Sequence, residues 1–98
     1  MLDKLQGLED KFLDLEARIS DPDIISNQTE WQKYTKAHSK LADIVQVFRE
    51  YKALMQKIKE DQEIIDAHED AELVEMAEEE LKELKPEVAG YEEKLTIL

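Results

Sequence analysis

Two histidines, His38 and His68, are the side chains of this chain best suited to acid–base or metal chemistry at neutral pH. Neither has a second histidine at helical spacing, and the residues after His68 do not follow the His-Glu-x-x-His pattern of zinc proteases. His38 falls on an apolar stripe, whereas His68 lies at a polar break. We therefore predict that His38 packs in the core and that His68 is exposed.

The run Asp21-Pro22-Asp23 resembles the beginning of a calcium-binding loop. That loop would require Asp or Asn at the position of Ile25, Gly at Ser26 and Glu at Gln32. These three mismatches favour a turn that ends one helix and caps the next.

Two acidic clusters resemble the paired carboxylates of acid–base catalysis: Glu60, Asp61 and Glu63, and Glu78-Glu79-Glu80. Such catalysis needs a partly dry cavity that separates two pKa values. Charge runs on helices usually form a solvated face instead, and we predict that arrangement for both clusters. Two glycines and no cysteine also leave no phosphate loop and no nucleophile triad. No catalytic, cofactor-binding or metal-binding residue, and no cofactor, is predicted.

Trp31, Tyr34 and Tyr51 could stack on nucleic acid bases. They fall on the apolar rows of a predicted helix, so we expect them in the core. If Trp31 were exposed near the start of that helix, it would be a candidate hot spot for a protein partner.

The composition limits the possible partners. The 98 residues correspond to one domain, and 25 acidic against 13 basic residues give a net charge of −12. This charge disfavours nucleic acid phosphates and anionic membranes, whereas it permits a basic protein partner. The absence of cysteine excludes a disulfide framework. No signal peptide or membrane-length apolar run is present, which predicts a cytoplasmic protein.

Apolar residues recur every three or four positions, which predicts three helices at about 2–19, 28–67 and 71–97. Pro22 should end the first helix, and residues 24–26 should form a short connector. Asn27, with Glu30 in capping-box position, and Asp70 are the predicted N-caps of the next two helices. Met55 continues the apolar row of the second helix seven residues after Phe48. The rows are Leu5, Leu8, Phe12, Leu15 and Ile19; Trp31, Tyr34, His38, Leu41, Val45 and Phe48; Ile44, Tyr51, Ile58 and Ile65; Val74, Ala77, Leu81, Leu84, Val88, Tyr91, Leu95 and Leu98.

The predicted fold is all-α: an elongated, coiled-coil-like antiparallel bundle of three helices, with a long central helix. The short connections favour antiparallel neighbours, with the first and third helices packing on the second. Pro86 should kink the third helix without ending it. The apolar pattern is still in phase at Leu95 and Leu98, without a helix stop signal. We therefore expect a single helical domain that is the N-terminal fragment of a longer chain.

Several strings together resemble the N-terminal helical domain of bacterial class I peptide chain release factors. The turn after the first helix looks more like the type that reads UAA and UAG. The similarity extends over essentially the whole chain, and its specificity comes from the ordered set. The strings are Met1-Leu2-Asp3-Lys4-Leu5, Ser20-Asp21-Pro22-Asp23-Ile24-Ile25-Ser26, Arg49-Glu50-Tyr51-Lys52 and Met76-Ala77-Glu78-Glu79-Glu80-Leu81-Lys82-Glu83-Leu84.

The resemblance implies a role in stop-codon-dependent translation termination on the ribosome. In this family the catalytic Gly-Gly-Gln motif and the codon-reading tripeptide belong to later domains, so no such residue is carried over here. The implied partners are the stalk-base and factor-binding region of the ribosome, its proteins, and the methyltransferase that modifies the catalytic glutamine. Neither sequence-specific nucleic acid binding nor membrane binding by this domain is expected.

Two other hypotheses remain open on the residues alone. The heptads fit a free-standing coiled-coil adaptor equally well, and this would self-associate through its exposed apolar row. A tRNA-binding helical arm is the third hypothesis, but it would need a basic stripe, and none is found.

Overall fold

The structure is a computed structural model that describes residues 2–96, and within these residues the regular elements are all helices. They are α1 (Leu2–Ile19), α2 (Pro22–Ile25), α3 (Gln28–Ala67) and α4 (Ala71–Leu95). The prediction of an all-α fold with three long helices and a long central one is confirmed. The described chain divides into two compact units, one up to Gln46 and the other from Val47. Helix α3 contributes residues to both.

In the first unit, α1 packs antiparallel against the beginning of α3. The Phe12 and His38 rings stack with centroids 4.1 Å apart. Nearer the end of α1, the Trp31 indole nitrogen donates to the Ile19 carbonyl at 3.1 Å. Partner numbers fall along α3 as they rise along α1, which is the antiparallel arrangement expected from a short connection.

In the second unit, α4 packs antiparallel against the later part of α3. The Tyr51 hydroxyl donates to Glu92 at 3.0 Å. Further along α3, Lys57 lies 3.5 Å from Glu80. The partners again run in opposite directions along the two helices, so this pair forms a helical hairpin.

The connection after α1 is short, as predicted, but it contains a helical turn, α2, that the sequence analysis did not predict. Asp21 is extended and its carboxylate accepts the Asp23 amide at 2.9 Å, while Pro22 occupies the first helical position. Proline is favoured there because that amide would be unpaired in any case. The same Asp-Pro pair that ends α1 therefore starts α2.

Helix α3 begins after Asn27, whose side-chain oxygen accepts the Glu30 amide at 3.3 Å. The predicted N-cap is confirmed. The Asn27 amide, which a full capping box would bond to the Glu30 side chain, instead donates to the Ile24 carbonyl at 3.0 Å. Helix α2 thus supplies the acceptor that the capping box would have used.

The turn between α3 and α4 uses a left-handed residue and a capping aspartate. His68 follows the last residue of α3 with φ of 52°, which is the conformation that commonly ends a helix. The Asp70 carboxylate then accepts the Glu72 amide at 2.9 Å and the Leu73 amide at 3.3 Å. The predicted N-cap of α4 is confirmed.

Helix α4 continues through Pro86 as one helix. The predicted bend at Pro86 stays a prediction. The helix ends at Leu95, where Thr96 takes the C-cap position and its hydroxyl donates to the Glu93 carbonyl at 2.7 Å. The sequence interpretation extended this helix to 97 and found no basic residue in its last turn, whereas Lys94 lies there. Residue Ile97 and the last apolar position, Leu98, lie outside the described residues.

The buried apolar residues follow the predicted rows except in the middle of α3. There Leu54 is buried and Met55 is 40% exposed, so the placement of Met55 on the apolar row was wrong. Steps of three through Val45, Phe48 and Tyr51 rotate the buried face, and the next step of three reaches Leu54. The core comprises Leu5, Phe12, Leu15, Val45, Phe48, Tyr51, Leu54, Ala77, Leu81 and Leu95.

Candidate functional site

The two histidines lie in different units and have different surroundings. His38 is half-buried against Phe12, and its Nε2 atom lies 3.7 Å from the Glu16 carboxylate. His68 is exposed in the α3–α4 turn. Both positions agree with the predictions of packing for His38 and exposure for His68. Within residues 2–96, no group of three or more His, Cys, Asp or Glu side chains could hold a metal ion.

The three aromatic residues considered for base stacking mainly join helices within their own units. Trp31 is half-buried and donates its indole N–H to the end of α1. Tyr34 is half-buried, with its hydroxyl 3.2 Å from an Arg18 nitrogen. Tyr51 is buried and donates to Glu92, and burial, followed by this hydrogen bond and the nearby charge, raises the pKa of Tyr51. No stacking surface for bases is formed by these three residues.

Asp61 is not on a solvated face, which corrects the prediction for its cluster. Its exposure is 4%, and its Oδ2 atom is buried without a hydrogen-bond partner among the described residues. The cause is its position on α3, seven residues after buried Leu54. Glu60 and Glu63 are exposed as predicted, so only one member of this cluster enters the hairpin interface.

Asp61 and Glu80 form an unequal carboxyl pair between α3 and α4. Hydrogen bonding with Glu80, then burial and the Glu80 charge, raises the pKa of Asp61, although Lys57 opposes this effect. The same hydrogen bonding lowers the pKa of Glu80, and Lys57 adds to that lowering. Of the two carboxyl groups, Asp61 is therefore the one that is protonated more readily as pH falls. Because Lys57 is exposed and the Glu80 side chain is partly exposed, the pair lacks the dry cavity that acid–base catalysis requires.

The net charge of the chain is concentrated in one segment, residues 60–80, which we call the acidic segment. It contains 11 of the 25 acidic residues and none of the 13 basic residues. The other 77 residues therefore hold 14 acids and 13 bases, a net charge of only −1. The acidic segment comprises the end of α3, the turn and the first part of α4. The overall composition concealed this asymmetry, which a count of charges along the chain would have revealed.

An apolar groove lies within the acidic segment. It has a volume of about 400 Å³ and is formed at the α3–α4 turn; we call it the acidic groove. Its apolar lining is Ile64, Ala67 and Leu73, and its acidic lining is Glu60, Glu63, Glu69 and Asp70. An apolar floor with a charged margin suits contact with another macromolecule better than chemistry on a small substrate.

These features define an all-α helical domain with capped helices and an exposed acidic groove at a turn between two helices. No helix within residues 2–96 is long and apolar enough to cross a membrane.

Comparison with known proteins gives the family. Residues 8–98 match the PCRF domain, and the chain belongs to the PCRF domain family. Over all 98 residues it is 48% identical to peptide chain release factor 1 of Clostridioides difficile and 45% identical to that of Clostridium acetobutylicum. The factor of Caldicellulosiruptor saccharolyticus is also 45% identical. The chain spans 27–28% of the length of these relatives. No solved structure matches the chain.

Proposed function

We propose that this chain is the N-terminal domain of peptide chain release factor 1 and supports termination of translation at UAA and UAG codons. The observation that carries the proposal is the 45–48% identity, over all 98 residues, to proteins of that name. The resemblance of the Ser20–Ser26 turn to the UAA/UAG-reading type supports the choice of codons.

The proposed role is docking and positioning of a larger factor, without catalysis by this domain. The pair Asp61 and Glu80 supports this view, since its carboxyl groups are held between two helices beside open solvent. Peptidyl-tRNA hydrolysis and codon reading would be performed by other domains of the full-length factor. Such an accessory domain changes how the factor binds or is oriented, which affects rates through positioning.

The proposed partners are the stalk-base and factor-binding region of the ribosome, with contacts mainly to ribosomal proteins. The negative charge supports this choice, because basic proteins complement an acidic surface whereas RNA repels it. A second proposed partner is the methyltransferase that methylates the glutamine of the full-length factor. Cytoplasmic localisation and folding of the chain as a single domain are parts of the same proposal.

A chimera tests whether this domain belongs to such a factor. The 98 matching residues of the Clostridioides difficile factor are replaced by this chain, and peptide release is measured on ribosomes programmed with UAA, UAG or UGA. The expected result is release at UAA and UAG close to that of the parent factor. The matched control carries an unrelated acidic helical hairpin in place of this chain. A chimera no better than this control would refute the proposal.

Membership of the PCRF family favours this function over the two other hypotheses. A coiled-coil adaptor or a tRNA-binding arm would have no reason to be similar to release factors along its whole length. The uneven charge distribution adds to the case against tRNA, because no basic residue interrupts residues 60–80.

A further inference from the structure

The acidic groove is accompanied by large apolar side chains that the described residues of the second unit leave substantially exposed. Ile64 is 36% exposed and Leu73 is 49% exposed. Met76, one helical turn after Leu73, is 66% exposed. Single exposed apolar residues are ordinary, but several beside a groove with a polar margin mark an interaction surface.

The margin of the groove has one sign of charge. Four carboxylates line it and no lysine or arginine does: Glu60, Glu63, Glu69 and Asp70. Asp70 is committed to capping α4, whereas Glu60, Glu63 and Glu69 are exposed. A partner therefore meets an apolar floor together with three available carboxylates.

We propose that the acidic groove binds a basic amphipathic helix of a partner protein. The helix places apolar side chains against Ile64, Leu73 and Met76, and its lysines or arginines lie beside Glu60 and Glu63. Apolar anchors in a groove are the usual means by which such helices bind. This inference deepens the proposed docking function, and rests on it for the identity of the natural partner.

Charge complementarity favours a basic helix over the other possible partners of the acidic groove. RNA and anionic membranes would meet like charge, and a second copy would bring its own 11 acids to the contact. A basic helix is attracted from a distance and gains affinity from the apolar contact. Exposed ion pairs contribute little each, so the apolar residues should dominate affinity and the carboxylates should dominate the salt dependence.

The test is an NMR titration of this chain with a synthetic probe helix made of leucine, alanine and lysine. Its leucines follow i, i+3, i+4, i+7 spacing, and a shuffled peptide of the same composition lacks the apolar face. The expected result is a set of shift changes centred on Ile64, Leu73 and Met76 with the amphipathic probe. Equal binding of the shuffled peptide would overturn the proposal, since charge alone would then explain it.

Apolar variants test the floor of the groove. Leu73→Asn and Ile64→Asn should each weaken binding of the probe about tenfold, whereas Leu13→Asn, at an exposed position of α1, should leave it unchanged. Because all three side chains are substantially exposed, the variants should fold, and circular dichroism checks this. Equal losses in all three variants would contradict a specific groove.

Charge variants test the margin. The triple variant Glu60→Gln, Glu63→Gln, Glu69→Gln should reduce the salt dependence of binding well below that of the parent chain. The control with the same change in net charge is Asp43→Asn, Glu83→Gln, Glu87→Gln, at exposed positions outside the acidic segment. If both triple variants reduced the salt dependence equally, the carboxylates of the groove margin would have no special role. The probe would then be attracted only by the net charge of the chain.

Alternative occupants are tested with the same spectra. Shift changes in the acidic groove on addition of a single-stranded RNA oligonucleotide, or on raising the protein concentration, would overturn the choice of a basic helix. The peptide-release assay is independent of these titrations. A functional chimera with no probe binding would therefore refute the groove alone, and probe binding with an inactive chimera would refute the release-factor function.

Discussion

Asp61 is a carboxyl group at a position that the helix pattern reserves for an apolar side chain. Leu54, Ile58, Asp61 and Ile65 are separated by four, three and four residues, so Asp61 lies on the buried stripe. An ionised carboxylate there would lose hydration and face Glu80. Both effects favour the protonated form and oppose burial of the charge.

The pH dependence of this pair follows from the direction of each shift. Because the pKa of Asp61 is raised in the folded chain, its contribution to stability is present below the ordinary aspartate pKa of about 3.9. It is lost as pH rises through the raised folded pKa. The lowered pKa of Glu80 acts oppositely: its contribution is present above its unfolded pKa and is lost as pH falls through the folded value.

Asp61→Asn should therefore stabilise the chain at pH 7, by about 1 kcal/mol, since a neutral amide avoids the buried charge and can donate to Glu80. The gain should shrink as pH falls through about 3.9 and vanish below it, where Asp61 is neutral in both states. Urea unfolding at several pH values measures this. The control is Asp43→Asn, which makes the same chemical change at an exposed position of α3 outside the acidic segment. A gain independent of pH, or equal in the control, would contradict this account.

At the scale of the elements, the N-cap of α4 is a local interaction whose contribution to stability can be measured. Asp70, two residues after left-handed His68, starts α4: its carboxylate accepts two amides of the first turn of α4. Asp70→Ala should destabilise the chain by about 1 kcal/mol, because those amides lose their acceptor. Asp70→Asn keeps the acceptor and should cost only a few tenths of that amount. Thermal or urea unfolding compares them, and equal losses would show that charge, not capping, is the cause.

Gly90 lies inside α4, where glycine has no structural advantage. A Cβ atom added there would meet nothing within 4 Å, and its backbone is helical without positive φ. Gly90→Ala should therefore stabilise the chain by about 0.5–1 kcal/mol, mainly by restricting the unfolded backbone. The reverse change at the exposed neighbour, Ala89→Gly, should destabilise it by a similar amount. A neutral or harmful Gly90→Ala substitution, measured by urea unfolding, would mean that glycine is needed for another reason.

Sequence reasoning predicted the helices better than it predicted their contacts. Periodicity was sufficient for the three long helices, and the chemistry of Asn27 and Asp70 was sufficient for the caps. The sequence analysis did not predict that Leu54 and Asp61 are buried, because a strict seven-residue repeat from Phe48 assigns Met55 to the core instead. A buried face that drifts around a long helix becomes visible only when both helices of the hairpin are in place.

At the scale of the whole molecule, the distribution of charge along the chain should affect stability more than the net charge does. The acidic segment carries 11 acids without one base, so like charges repel one another across the turn. Added salt should therefore stabilise the chain. Between about 0.02 M and about 0.5 M NaCl the screening length falls from roughly 20 Å to roughly 4 Å, which removes most of this repulsion.

The two triple variants of the groove test also separate local from general charge effects on stability. Replacing Glu60, Glu63 and Glu69 by glutamine should abolish much of the stabilisation by salt. Removing Asp43, Glu83 and Glu87 in the same way should leave most of it, because those acids have bases in their neighbourhood along the chain. Equal salt dependence in both, measured by thermal unfolding, would mean that net charge alone governs stability.

The proposed role of this domain is to dock and position a larger factor, with the chemistry left to other domains. The most direct measurement compares a full-length release factor carrying this domain with the same factor lacking residues 1–98, in peptide-release saturation curves on UAA-programmed ribosomes. We predict that the deletion raises the factor concentration needed for half-maximal release, or lowers the maximal rate of release. Release should still depend on the stop codon. Complete loss of release at saturating factor, with the remaining domains folded, would contradict a purely docking role.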